Sequence, residues 1–220
     1  MLFRSQVITE LEQHETDSAT LDRLFRLDHL ATRMRRNAES LLVLAGEESP
    51  RRGTQPRPVD EVLRAATSEV EDFARVAIHL VDHALVQPRL VSDLTHLLAE
   101  LIENATLFSP PESPVEVSGQ LEADGSYTIT IVDHGLGLPP DRLHEANARI
   151  AAAAAPGGSP PSSFLGLFVV GRLAARHDIH AWLVDTPDTG VTAQVSLPQA
   201  CLASGPEPVA DIRGSRLHVS

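Results

Sequence analysis

Glu100 and Asn104 stand four residues apart in the run Glu100-Leu-Ile-Glu-Asn-Ala-Thr-Leu-Phe-Ser-Pro-Pro111. On a helix that spacing projects both side chains from one face. A carboxylate beside a carboxamide can hold a hydrated Mg²⁺ and orient a water, because that ion takes oxygen ligands and keeps several of its own waters. Further along, an apolar stretch ends in Val132-Asp-His-Gly-Leu-Gly-Leu-Pro139. Asp133 is an acceptor at a strand end, and Gly135 and Gly137 let the backbone approach a flat ligand. Gly166 opens the apolar run Leu165-Gly-Leu-Phe-Val-Val-Gly-Arg-Leu-Ala174, and free amides at a helix start favour phosphate. Thr192, in Asp188-Thr-Gly-Val-Thr-Ala-Gln-Val-Ser-Leu197, begins an alternating strand and can donate a hydrogen bond. Four such pieces in this order point to a nucleotide site.

These pieces resemble the boxes of the GHKL ATPase superfamily of gyrase, chaperone, histidine kinase and mismatch-repair proteins. Glu100 to Asn104 is similar to the N box, Asp133 to Gly137 to the first glycine box, Leu165 to Leu167 to the second, and Thr189 to Thr192 to the third. The resemblance covers roughly residues 58–199. The segment Leu24 to Gly46 looks like the stretch preceding the ATPase domain in conservon-type orphan sensor kinases of bacteria.

The resemblance implies ATP or ADP with Mg²⁺ as cofactors. Asp133 would accept the adenine amino group, with Gly135 and Gly137 beside it. Asn104 would be the metal ligand, and Glu100 the catalytic group that orients or deprotonates the attacking species. Gly166 and Leu167 would face the phosphates, and Thr192 would join the adenine-side network. Possible partners by the same resemblance are a roadblock-type protein and a small GTPase.

The chain also departs from the family pattern. Leu107 stands where sensor kinases often carry Lys or Arg, and Ser163 and Phe164 replace upstream glycines of the second glycine box. Arg142 and Arg149 are candidates for the missing positive charge. His14 and His29 are the candidate phosphoacceptors, and neither has the expected context. Three readings remain open: a weak ATPase or kinase of a signalling system, a non-catalytic nucleotide-gated regulatory module, or the same fold recruited to other, for example biosynthetic, chemistry.

Composition sets bounds on these readings. A net charge of −12 argues against a nucleic-acid surface, since phosphate backbones need clustered cations. One cysteine, Cys201, excludes a disulfide framework and a cysteine-built zinc site. No apolar run reaches the ~20 residues needed to span a bilayer and no signal peptide is visible, so a cytoplasmic location is expected.

The elements that must position these residues follow from periodicity. Leu24, Leu27, Ala31, Met34, Ala38, Leu41 and Ala45 form an a/d seam, the pattern of a helix in a coiled coil or bundle. A helical hairpin over 1–46 that dimerises into a four-helix bundle is the economical solution. Residues 47–58 read as a hinge, 59–199 as the ATP-binding domain, and 200–220 as a disordered tail. Within the domain the pattern predicts helices over 59–73, 89–107 and 166–177. It predicts strands over 75–80, 115–121, 126–133, 180–185 and 191–197, with a mobile lid over 139–163. That order implies an α+β fold, a two-layer α/β sandwich of the Bergerat or histidine-kinase-like ATPase kind.

Overall fold

Alternation decides the central sheet. In Val115–Leu121 (β4) the side chains of Val115 and Val117 are buried, and in Tyr127–Val132 (β5) those of Tyr127, Ile129 and Ile131 are buried. Period-two burial of this kind belongs to strands with one face on a core. The computed structural model describes residues 27, 31, 34–36, 38–43, 45, 54–153, 165–186 and 190–203.

Eight strands and four longer helices are defined in this description. Arg57–Pro58 (β1) leads into helix Val59–Ser68 (α1), followed by strands Val76–Val81 (β2) and Leu85–Val86 (β3). Helix Val91–Phe108 (α2), β4 and β5 come next, then helices Pro140–Ala153 (α3) and Leu165–Arg176 (α4). Strands His180–Asp185 (β6), Val191–Leu197 (β7) and Leu202–Ala203 (β8) close the order. The main sheet runs β2-β4-β5-β7-β6. Only the β2–β4 pair is parallel; the other three pairs are antiparallel. β1, β3 and β8 form a small antiparallel sheet, so β1 and β8 lie just outside the interval 59–199.

The helices cover one face of the main sheet, which makes the two-layer α/β sandwich expected from sequence. α2 buries Leu94, Leu97, Leu98, Leu101, Ile102 and Ala105, a continuous stripe at helical spacing. α4 buries Leu167, Val169, Val170 and Leu173, and all of these join one hydrophobic core with the strand interiors. Each fully buried leucine contributes about 1.5–3 kcal/mol relative to exposure.

The interval expected to be a lid is in large part regular. Residues 140–153 form α3, with Ala146, Ile150 and Ala153 buried. Their spacing of four and three carries a helical stripe built from small residues, which is why the segment resembles a loop in the sequence. Asn147 ties α3 to the edge strand β6. Its Nδ2 donates to the Leu183 carbonyl at 2.8 Å, and its Oδ1 accepts from the Leu183 amide at 2.8 Å.

At the N-terminal end, the described positions between 27 and 43 are helical. Leu27, Ala31, Met34, Ala38 and Leu41, all members of the predicted seam, are exposed in this single chain. The opposite face, carrying Arg36, Ser40 and Val43, is buried. The first helix of the expected hairpin, together with Leu24, His14 and His29, lies outside the described residues.

Candidate functional site

The turn after β5 sets one end of a cavity of about 470 Å³ between α2, α3, α4 and the β5–β7 strands. Its middle is apolar, walled by Leu101, Ala105, Phe108, Ile131, Leu183 and Ala193. Asp133 is buried at that end, and its Oδ1 accepts the Gly135 amide at 2.8 Å. Burial pushes the Asp133 carboxyl above the ordinary aspartate value, and the Gly135 hydrogen bond offsets this only in part. Gly135 has no room for a side chain, because a Cβ there would stand 2.5 Å from the Phe108 carbonyl oxygen. Gly137 lines the pocket with φ of +71°, a conformation glycine adopts freely.

The opposite end is polar. Asn104, Gly166 and Leu167 lie on the wall there. Asn104 Nδ2 is buried and, among the described residues, has no hydrogen-bond partner. A buried donor without a partner is costly, so this carboxamide is set up for a ligand. No group of three His, Cys, Asp or Glu among the described residues could hold a metal ion. The unpartnered Nδ2 is a donor and suits an anionic oxygen such as a phosphate. The Asn104 Oδ1 is the atom that would hold a divalent ion together with water and ligand phosphates.

Glu100 stands behind that wall, one turn before Asn104. A Cβ on Gly166 would lie 2.8 Å from Glu100 Oε2 and 3.6 Å from Asn104 Nδ2. The other oxygen, Oε1, faces the N-terminal helix. It is 3.4 Å from Arg36 Nε, 3.4 Å from His96 Nε2 and 3.3 Å from the Ser40 hydroxyl, which donates to it. Arg36 also pairs with Glu103. Burial pushes the Glu100 carboxyl up, but the His96 hydrogen bond and the Arg36 charge outweigh it and hold it below the ordinary glutamate range.

Two cations complete the wall. Arg142 and Arg149 both line the cavity from α3, and Glu145 between them accepts from each, at 3.0 Å and 2.6 Å. Leu107 is 70% exposed and lies outside the cavity lining. Thr192 is also outside the lining. Its hydroxyl meets Thr186 Oγ1 at 2.9 Å, and Thr186 reaches the Asp133 carbonyl at 3.5 Å.

Thus Asn104, Asp133, Gly137, Gly166 and Leu167 meet on one cavity, whereas Glu100 and Thr192 stand behind it. Sequence reasoning missed Arg36, Ser40, His96 and Asn147. His96 was within reach, since it precedes Glu100 by four residues on the same helix face. The arrangement suits a flat ring with a donor group at the Asp133 end and an anionic tail at the Asn104 end.

Comparison with known proteins gives the family and the fold. Residues 90–200 match the family model described as histidine kinase-, DNA gyrase B-, and HSP90-like ATPase. The sensor-like histidine kinase SenX3 of Mycolicibacterium smegmatis is 32% identical over 150 residues, covering 64% of this chain and 38% of that protein. The chain thus spans less than half the length of this curated relative. The mycobacterial sensor histidine kinase MprB superposes with a TM-score of 0.53 at 24% identity, over 66% of this chain and 96% of that one. Full-length ShkA in complex with AMPPNP gives a TM-score of 0.58 at 18% identity, over 90% of this chain and 42% of that one. At these identities both structures speak for a shared fold.

Proposed function

Because this chain belongs to the histidine kinase-, DNA gyrase B- and HSP90-like ATPase family, we propose that its cavity binds ATP or ADP with Mg²⁺ in a cytoplasmic signalling system. Residues 90–200 are a histidine-kinase-like ATP-binding domain of the sensor-kinase type. The observation that carries the reading is the buried Asp133 carboxylate at one end of an apolar slot whose other end holds Asn104 and the start of α4.

Asp133 accepts the adenine amino group, and Gly135 and Gly137 bring backbone close to the ring. The amides at Gly166 and Leu167 face the phosphates, where the helix start favours negative charge. Asn104 is the protein's ligand to Mg²⁺, which when bound neutralises phosphate charge. Arg142 and Arg149 exchange part of their pairing with Glu145 for the phosphates. Glu100 orients the attacking hydroxyl or water. Turnover to water is slow, because the His96 hydrogen bond and the Arg36 charge hold the Glu100 carboxyl below the ordinary glutamate range and make it a weak base.

The exposed seam Leu27, Ala31, Met34, Ala38 and Leu41 supports a homodimer through residues 1–46, a second copy covering the apolar stripe. Among the described residues no helix is long and apolar enough to cross a membrane. Roadblock-type and small-GTPase partners rest on the sequence resemblance alone.

A competition titration tests the nucleotide assignment. ATP and ADP should bind with micromolar to millimolar Kd, roughly −4 to −8 kcal/mol, and more weakly without Mg²⁺. GTP should bind at least about tenfold more weakly, because guanine presents a carbonyl oxygen to the Asp133 carboxylate. Equal affinity for ATP and GTP would contradict the assignment.

A further inference from the structure

We propose that Arg75 is a positioning residue of the site: its guanidinium fixes the end of α2 and, through the Phe108 backbone, the turn that carries Asp133. The inference rests on the nucleotide-binding reading above. Arg75 closes the short 3-10 turn Phe73–Arg75 and leads directly into β2, whose first residue, Val76, pairs with Val115 of β4. Its side chain is thereby anchored to the main sheet and is only 17% exposed.

The sequence creates the need for a donor at this place. In a continuing helix the Thr106 and Leu107 carbonyls would accept from the amides of residues 110 and 111. Both of those residues are proline, which has no amide proton. The last turn of α2 therefore ends on carbonyls that the next turn cannot satisfy. Arg75 supplies donors from outside. Its Nη1 donates to the Thr106 carbonyl at 2.9 Å, and its Nη2 to those of Pro110 at 2.6 Å and Ser109 at 3.3 Å. Nε and Nη2 both reach the Ser113 carbonyl, at 3.2 and 3.1 Å. A planar fork of five N–H groups can serve four carbonyls at once, which the three donors of an ammonium cannot. The positive charge also stands at the C-terminal end of a helix, where the macrodipole favours it.

The gripped carbonyls flank Phe108 on both sides. Phe108 lines the cavity, and its carbonyl oxygen and carbon would stand 2.5 and 3.1 Å from a Cβ on Gly135. The turn after β5 thus rests backbone against backbone on Phe108. The Gly135 amide in turn donates to Asp133 Oδ1 at 2.8 Å. Contact therefore runs from Arg75 to the end of α2, to Gly135, and to the Asp133 carboxylate. Asn104 lies outside this path, because Leu98, Leu101, Ile102 and Ala105 hold that part of α2 in the core. Arg75 touches no ligand. It sets the Asp133 end of the slot, and with it the discrimination between a purine that offers an amino group and one that offers a carbonyl.

The test titrates the full chain, Arg75→Gln and Arg75→Lys with ATP and with GTP, each with and without Mg²⁺. In Arg75→Gln, ATP affinity should fall by about tenfold and GTP affinity by less, so that the preference for ATP shrinks. The ratio of ATP affinities with and without Mg²⁺ should stay at the parent's value, since the Asn104 end is untouched. Arg75→Lys should fall between the parent and Arg75→Gln. Hydrogen exchange should quicken at residues 106–113 and 135–137 and stay unchanged in α4. If Arg75→Gln does not fold, the lysine variant decides by the same ratios. An ATP preference equal to the parent's, whether both affinities hold or both fall alike, overturns the proposal and leaves the nucleotide reading standing. A parent chain that binds no nucleotide removes both.

Discussion

Replacing Gly171 by alanine puts a methyl group into the seam between α3 and α4, and the structure fixes what it meets. The new Cβ would stand 2.1 Å from the Ile150 carbonyl oxygen and 2.8 Å from the Ala153 Cβ. To reach an ordinary contact of 3.4 Å, the two helices must separate by about 1.3 Å, since the obstacle is backbone and cannot rotate aside. Overpacking of a tight site costs about 1–3 kcal/mol, and a carbonyl obstacle places this site at the upper end. Alanine in a helix interior recovers about 1 kcal/mol relative to glycine. The net destabilisation is about 2 kcal/mol. With a urea slope of about 2 kcal/mol/M, the midpoint falls by about 1 M. Fluorescence of Trp182, the one tryptophan of the chain, reports the transition from β6, to which α3 is tied. Since α3 carries Arg142, Glu145 and Arg149 on the cavity wall, ATP affinity should fall as well. An unchanged or raised midpoint would refute the α3–α4 packing.

Asn147→Ala removes both hydrogen bonds to Leu183; it should cost about 1–3 kcal/mol and speed hydrogen exchange in α3 while leaving α2 protected. Nucleotide affinity should also depend on pH through Asp133. Its folded-state value is raised above 3.8 and the ionised form is the acceptor, so binding is lost as pH falls through a window above that of an ordinary aspartate. Below the midpoint the slope approaches about tenfold per pH unit, and a titration flat down to pH 4 would contradict it. Met34→Glu with Leu41→Glu places charges on an exposed apolar stripe and should yield monomers by light scattering. A parent chain that is already monomeric at micromolar concentration would remove the dimer.

The helix and strand-end placements of Glu100, Asn104, Asp133 and Gly135 were readable because each carries its geometry locally. Glu100 and Asn104 need only a helix to share a face, and Asp133 with Gly135 needs only a strand end. Strands 115–121 and 191–197 were readable from alternation, which one buried face imposes, and 180–185 from a short apolar run between polar ends. α3 was not, because Pro139-Pro140 and the alanine run carry turn and low-complexity signals that outweigh a stripe of Ala146, Ile150 and Ala153. The docking of the N-terminal helix was hidden for another reason. Its apolar seam is the visible pattern, yet Arg36 and Ser40 on the opposite face are what α2 buries. Polar residues opposite a seam read as solvated unless the partner carboxylates, here Glu100 and Glu103, are known to lie across from them. Thr192 shows the same limit on a strand, since its end-of-strand position does not reveal that it backs Thr186 instead of facing the cavity.

The account stands most directly on Asp133 as the adenine acceptor, so the decisive measurement is calorimetric titration of the full chain and of Asp133→Asn with ATP and Mg²⁺. The substitution keeps size and turns a charge-assisted acceptor into a mismatched amide. Affinity should fall by about 1–3 kcal/mol, roughly 5- to 150-fold, with the thermal midpoint of the unliganded chain close to the parent's. Unchanged ATP affinity in Asp133→Asn would contradict the assignment of the cavity to an adenine nucleotide.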